Sequence, residues 1–225
     1  MKSPLPMLLS LSAGYVDTAG FLALQGLFTA HVTGNFVTLG AALALGTSGV
    51  LAKLLALPVF CIVVVLTRLF EYALEQRGLP VFRSLLTAEF CLLVVGGVLA
   101  ISFGPFHDGD GWRAIVTGMV LVSAMAIQNA AHRVHLASAP PSTLMTGTTT
   151  QIMIDVADLM HGGPAEKTAA AKGRLARMSA NVAAFALGCG VAAGLYVWAG
   201  TWCFVLPPVM LALARFTPQT APTAG

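Results

Sequence analysis

Six stretches of this chain, residues 7 to 29, 54 to 75, 84 to 104, 113 to 134, 178 to 199 and 201 to 217, are apolar over a length close to the roughly 20 residues that cross a bilayer. Hydrocarbon offers no water to pair backbone N–H and C=O groups, so runs of this kind must satisfy them internally, as helices. The fold class expected is therefore an all-α polytopic membrane protein. Composition agrees: 57% of residues are hydrophobic and 9% charged, against about 25% charged in a soluble domain. The formal charge of +3 is no nucleic-acid signal, because the basic residues sit in the short connections that set membrane topology. Cys61, Cys91, Cys189 and Cys203 lie inside apolar runs and form no CxxC pair, so neither a metal site, a disulfide framework nor a cofactor is expected. Lys2 and the run after it imitate a secretory signal, but the run contains Asp17 and belongs to a repeated unit. It reads as a retained first helix.

That unit occurs twice. Gly14-Tyr15-Val16-Asp17 is followed by His31-Val32-Thr33-Gly34-Asn35, and Ala126-Ile127-Gln128-Asn129 is followed by Met145-Thr146-Gly147-Thr148. Asp17 lies 17 residues before Gly34 and Asn129 lies 18 before Gly147, so the copies align with a one-residue gap. The organisation expected is a first repeat at 1–110, a second at 111–217 and a disordered tail at 218–225. Repeated halves with interrupted apolar segments at matching positions point to a solute site between them.

The segments 32–47 and 142–159, short and rich in Thr and Gly, either cross the membrane or dip in and return. Charge arbitrates. If both return, Lys2, Arg68, Arg77, Arg83, Arg133, Lys167, Lys172, Arg174, Arg177 and Arg215 fall on one side and Lys53 and Arg113 on the other, 10 against 2. If both cross, the division is 8 against 4. The first arrangement fits the positive-inside bias, with six spans, re-entrant short helices and both termini in the cytoplasm. Three spans per half also make the repeats inverted. Gly162 to Arg177 reads as a cytoplasmic connector.

Asp17 sits about ten residues into the first span, near the middle of the bilayer. An acid there costs about 2.5–3.5 kcal/mol on insertion scales and so faces a cavity or a partner. It either lines a path or is held by backbone amides or Asn129 and fixes the fold. Gly34 and Gly147 permit unwound points, and Thr33, Asn35, Thr146 and Thr148 can cap or line the helices that follow. Two such N-termini meeting near the centre would favour anionic or accepting solutes, against the pull of Asp17 toward cations or protons. His31 is read as hydrogen-bonded or as a proton relay with Asp17; Gln128 and Asn129 supply neutral donors and acceptors.

Other polar positions read as structural. Glu89 is expected to pair with Arg83 or Arg68, and Asp155 and Asp158 to mark the solvated end of the second short helix. His132, Arg133 and His135 look like interfacial anchors. Small residues at Ala184, Gly188, Ala192 and at Gly190, Gly194 offer close packing or a homodimer seam. Pro207 and Pro208 are expected to kink the last span and release backbone carbonyls.

The residues Ala13 to Asp17, Gly20-Phe21, His31 to Asn35, Gln128-Asn129-Ala130 and Thr146-Gly147-Thr148 resemble the YoaK-like family of bacterial inner-membrane proteins. The second motif is looser, with Met145 and Thr148 where the first has Val32 and Asn35. The resemblance implies about six spans and an inner-membrane location and adds no substrate. The residues themselves point to a small-solute channel or secondary transporter, its path lined by Asp17, His31, Thr33, Gly34, Asn35, Gln128, Asn129, Thr146, Gly147 and Thr148, with Asp17 as proton or cation handle. The other class considered is a non-transporting scaffold or sensor acting as an oligomer. No HExxH, GxSxG or paired catalytic carboxylates appear, so no enzyme and no catalytic residue is expected.

Overall fold

Eight helices make up most of residues 4–215, the residues that the computed structural model describes: α1 (Leu5–Ala23), α2 (Asn35–Leu45), α3 (Val50–Gln76), α4 (Val81–Phe103), α5 (Trp112–His135), α6 (Met145–His161), α7 (Ala165–Ala199) and α8 (Leu206–Arg215). Short 3-10 turns at Val32–Gly34 and Gly200–Val205 lead into α2 and α8, and no strand occurs among the described residues. Proline stands at the N-terminal boundary of α1, α4 and α7, where its missing N–H costs nothing. Five helical stretches are long and apolar enough to cross a membrane: α1, α3, α4, α5 and the run Ala165–Leu213 that joins α7 to α8. The tail expected to be disordered, 218–225, lies outside the described residues.

Three expected boundaries move, each for a local reason. The first apolar run does not continue to residue 29. Gln25 and Gly26 both take positive φ, 55° and 81°, and reverse the chain, so residues 27 to 31 turn back alongside α1. The connector expected at 162–177 is mostly helix, because Ala, Lys, Arg and Leu dominate it after Pro164, and α7 runs unbroken for 35 residues. The last span is not one kinked helix. A 3-10 stretch gives way to α8 at Leu206, so Pro207 and Pro208 fall in the first turn of a helix, where proline is tolerated. The carbonyl of Cys203, which Pro207 cannot serve, receives the Leu206 N–H and the buried Tyr15 hydroxyl, the latter at 2.7 Å.

Hydrogen bonds fix which helix ends lie together. At one end of the bundle the Gln25 side chain donates to the Phe106 carbonyl at 2.9 Å, and Lys53 Nζ donates to the Gln25 and Ser48 carbonyls at 2.7 and 3.3 Å. Thr201 packs on Gly104 at the same end. The end of α1, the start of α3, the α4–α5 loop and the start of the α8 lead-in therefore converge. At the other end Glu71 near the C-terminus of α3 bonds His135 at the end of α5, whose ring lies on Phe82 at the start of α4. It follows that residues 24–49 leave and rejoin the same end. α2 packs on α3 and α6 on α7, while α1 packs on α7 and α8, and α5 on α3 and α4.

Asp110 is the latch of the first end. Its two oxygens accept from the Gly49, Val50, Leu51 and Ala52 N–H groups at 2.9, 3.1, 2.7 and 3.3 Å, four donors that the start of α3 would otherwise leave open. Partial burial pushes this carboxyl up, but the four amides together outweigh it and hold it below the usual carboxylate range. A second close contact joins α1 to α7. A Cβ on Gly188 would come within 2.1 Å of the Leu11 carbonyl oxygen, and one on Gly14 within 2.2 Å of that of Phe185, so the two backbones touch. Gly190 and Gly194 face open space instead.

Two outcomes are expected in thermal unfolding of the detergent-solubilised protein. Asp110→Ala costs about 1–2 kcal/mol. Because the folded carboxyl is held low, that loss is complete above the ordinary carboxylate value near pH 4 and disappears as pH falls through the lowered one, where the native protein has lost the contribution too. Gly188→Ala costs about 1–3 kcal/mol by overpacking, whereas Gly194→Ala stays within about 0.5 kcal/mol of the parent.

Candidate functional site

The reversal at Gln25-Gly26 brings the backbone of Thr29, Ala30 and His31 onto Asp17, about six residues from the end of α1. Asp17 Oδ1 accepts the N–H groups of Thr29, Ala30 and His31 at 2.8, 2.7 and 3.3 Å, and the Thr29 hydroxyl lies 3.5 Å away. Its other oxygen, Oδ2, is 2.9 Å from His31 Nδ1. A carboxylate only accepts, so Nδ1 carries the hydrogen in this contact, and Nε2 is the nitrogen left for other partners. The acid side chain is 5% exposed and the imidazole 33%, so the histidine is the more accessible member of the pair.

The segment that delivers His31 is pinned again one turn later. Asn35 Oδ1 accepts the Phe28 N–H at 2.9 Å and its Nδ2 donates to the Phe28 carbonyl at 2.8 Å, a side chain standing in for a strand partner. Gly34 lies against the Phe28 ring, where a Cβ would approach to 3.0 Å. Thr33 is exposed and Val32 buried.

Beside the Asp17–His31 pair is a cavity of about 430 Å³ lined by Asp17, Thr18, Phe21, Phe28, His31, Gly34, Phe185 and Cys189. Phe21 packs on Phe28 with ring centroids 4.9 Å apart, and Phe185 of α7 meets the His31 ring edge-on at 5.5 Å. The chamber is apolar and aromatic with one acid–imidazole pair in its wall.

The expected path residues therefore divide into two groups. Asp17, His31 and Gly34 line the cavity; Asn35 braces it from behind; Thr33 points elsewhere. The second-half residues form their own cluster. Thr143 donates to Asn129 Oδ1 at 2.6 Å, Asn129 Nδ2 donates to the Met125 carbonyl at 2.9 Å, and Gln128 Nε2 donates to the Leu9 carbonyl and Ser142 Oγ at 3.1 and 3.2 Å. Thr148 donates to the Leu144 carbonyl of its own helix, and Thr146 and Gly147 are exposed at the start of α6. Neither α2 nor α6 receives a side-chain cap, and no hydrogen bond among the described residues joins the two Thr-Gly motifs. Residues that the repeat could not reveal complete the cavity: Thr18, Phe21, Phe28, Phe185 and Cys189. Thr18, Phe21 and Phe28 are marked only by their position beside an interrupted segment, and Phe185 and Cys189, inside the unbroken α7, carry no mark at all.

Two expected contacts are corrected. Glu89 does not pair with Arg83 or Arg68; Arg68 bonds Glu71 one turn along α3 and stacks on Tyr72, and neither oxygen of Glu89 has a partner. Asp155 is not at a solvated end. It is fully buried between α6 and α7, held by Arg174 through Nε at 2.8 Å and by Gln151 at 3.0 Å, while Asp158 is exposed. His132 is likewise buried and only Arg133 and His135 remain toward the surface. Among the described residues no three His, Cys, Asp or Glu side chains come together as metal ligands.

Five long apolar helical stretches define a multi-pass helical membrane protein, with a backbone-capped buried acid beside an open cavity. The chain belongs to the family described as protein of unknown function DUF1275, whose model matches residues 5–217. It is 32% identical over 177 residues to the UPF0700 transmembrane protein YoaK of Bacillus subtilis (strain 168), covering 74% of this chain and 72% of that relative. No solved structure matches.

Asp17→Ala leaves three N–H groups without an acceptor, two of them buried at about 1–3 kcal/mol each, and is expected to lower stability by at least about 2 kcal/mol. Asp17→Asn keeps Oδ1 for the same amides and is expected to lose only about 1 kcal/mol. Thermal unfolding of both variants in one detergent separates the two.

Proposed function

We propose that this protein is a small-solute channel or secondary transporter of the bacterial inner membrane, carrying its solute through the Phe-lined chamber and using the Asp17–His31 pair as its proton or cation handle. One observation carries the reading: a carboxylate satisfied by backbone on one oxygen presents the other, through an accessible imidazole, to an open, apolar cavity. Apolar walls with few polar groups suit a small, weakly polar solute. Transport is favoured over catalysis because no second acid lies in the lining and the Cys189 thiol there donates to the Gly14 carbonyl rather than to the pair.

The arrangement behind this reading is two inverted repeats with re-entrant short helices. Under an exchange of α1 with α5, α2 with α6, α3 with α7 and α4 with α8, the packing pairs map onto each other: α1 on α7 becomes α5 on α3, and α4 on α5 becomes α8 on α1. Directions support inversion. α1 ends where α5 begins, at the Gln25–Phe106 contact, and α4 ends where the lead-in to α8 begins, at Gly104 and Thr201. Residues 24–49 start and finish at one end yet reach Asp17, which is the course of a re-entrant loop. Arg68, Arg77, Arg83, Arg133 and the basic start of α7 share the opposite end, so that end is assigned to the cytoplasm, with both termini.

The test is pH-dependent flux in proteoliposomes across a panel of small neutral, cationic and anionic solutes. His31→Asn, whose Nδ2 stands where Nδ1 does and can donate to Asp17, is expected to retain folding while flattening the pH dependence of the transported solute. A protein that passes nothing in the panel, or a His31→Asn variant whose flux follows pH as the parent's does, returns the reading to a scaffold or sensor.

A further inference from the structure

Four acidic side chains are buried among the described residues: Asp17, Glu71, Glu89 and Asp155. Three have donors. Asp17 takes backbone amides and His31, Glu71 takes Arg68 and His135, and Asp155 takes Arg174 and Gln151. Glu89 is 0% exposed and neither of its oxygens has a hydrogen-bond partner.

The helix facing it supplies the explanation. α4 and α5 run antiparallel, and Gly96 of α4 meets Leu121 of α5, whose side chain would lie 2.6 Å from a Cβ on that glycine. Seven residues, about two helical turns, lead back along α4 from Gly96 to Glu89 and forward along α5 from Leu121 to Gln128. The two side chains therefore stand at the same level across the interface. Gln128 cannot rotate its amide to help, because Nε2 is committed to the Leu9 carbonyl and Ser142 Oγ. Its Oε1 is buried and lacks a donor. An ionised carboxylate at the level of that amide oxygen would leave two sets of buried acceptors without a donor in one low-dielectric layer. One hydrogen resolves both.

We infer that Glu89 is a proton-binding site, a neutral carboxylic acid whose O–H is donated to Gln128 Oε1, directly or through one water. Among the described residues no charged side chain bonds Glu89. Arg68 of α3 is engaged by Glu71 and Tyr72, α8 is apolar through Leu213 with Arg215 as its terminal residue, and the 3-10 lead-in carries no ionisable acid or base besides Cys203. His132, buried one turn beyond Gln128 on α5, is the nearest titratable group along that helix. The buried Ser10 and Ser12 hydroxyls of α1, next to the Leu9 carbonyl that Gln128 holds, also lack partners, which marks the layer as one that accommodates hydrogen-bonding guests. This site is separate from the Asp17–His31 chamber and does not depend on the transport reading.

Infrared spectroscopy of the full chain in lipid nanodiscs at neutral pH tests it. The expected result is a protonated-carboxyl C=O stretching band that shifts in D₂O, is absent in Glu89→Gln and moves to higher frequency in Gln128→Leu, which removes its acceptor. Glu89→Gln retains an N–H donor for Gln128 and is expected to unfold at the parent's temperature. No such band in the parent, or a band that survives Glu89→Gln, overturns the inference. Should Glu89→Gln not accumulate, Gln128→Leu decides alone: a band left at the parent's frequency means that Gln128 is not the acceptor and the pairing is wrong.

Discussion

An irregular stretch of backbone inside a membrane bundle survives only if every N–H it exposes finds an acceptor, and Asp17 is what makes the stretch after Gly26 possible. One carboxylate oxygen collects three consecutive amides. Without it those amides would be left unpaired where the chain doubles back beside α1, next to the cavity at His31. Asn35 extends the same service to Phe28, and Asp110 does so for the start of α3. Each acceptor sits where regular helix is interrupted or begins and backbone donors would otherwise go unpaired.

The same accounting explains the second half. The segment after α5 is tied back by Thr143 on Asn129, Ser142 on Gln128 and the Pro140 carbonyl, which receives Asn181 of α7 at 3.0 Å. Proline creates the complementary deficit, a carbonyl without its amide. Tyr15 meets that need at Cys203, across the bundle, and so couples the break before α8 to the helix that carries Asp17. A change at either site is therefore felt by α1.

Much of this was legible in the residues and some was not, for identifiable reasons. Long apolar runs and the recurrence of a polar residue before a Thr-Gly pair exposed the helical class, the interrupted segments and Asp17 with His31. The reversal at Gln25 was invisible, because a non-glycine residue in the left-handed region carries no sequence mark; what holds it is the distant Phe106 carbonyl and Lys53. Glu89 was assigned a partner by nearness along the chain, but register across α4 and α5 depends on Gly96 meeting Leu121, which no local pattern encodes. Asp155 looked solvated because the helix that carries Arg174 read as a connector. Tertiary packing turned both assignments.

Asp17 and Asn129 occupy matching places in the two copies of the motif, and both accept a hydrogen bond from a threonine on the segment that follows, Thr29 and Thr143. Asn129 anchors its segment with a neutral amide, so holding such a segment does not by itself require a charge. An asparagine at 17 could present the same Oδ1 to the three amides at far lower cost of burial. What it could not do is offer a second strong acceptor to His31. The charge at 17 is thus surplus to the task of closing the loop, and that surplus is directed at the imidazole in the chamber wall. On the proposed transport reading, two acceptors suffice to hold the two segments and one of them, Asp17, is an acid because it also serves the imidazole.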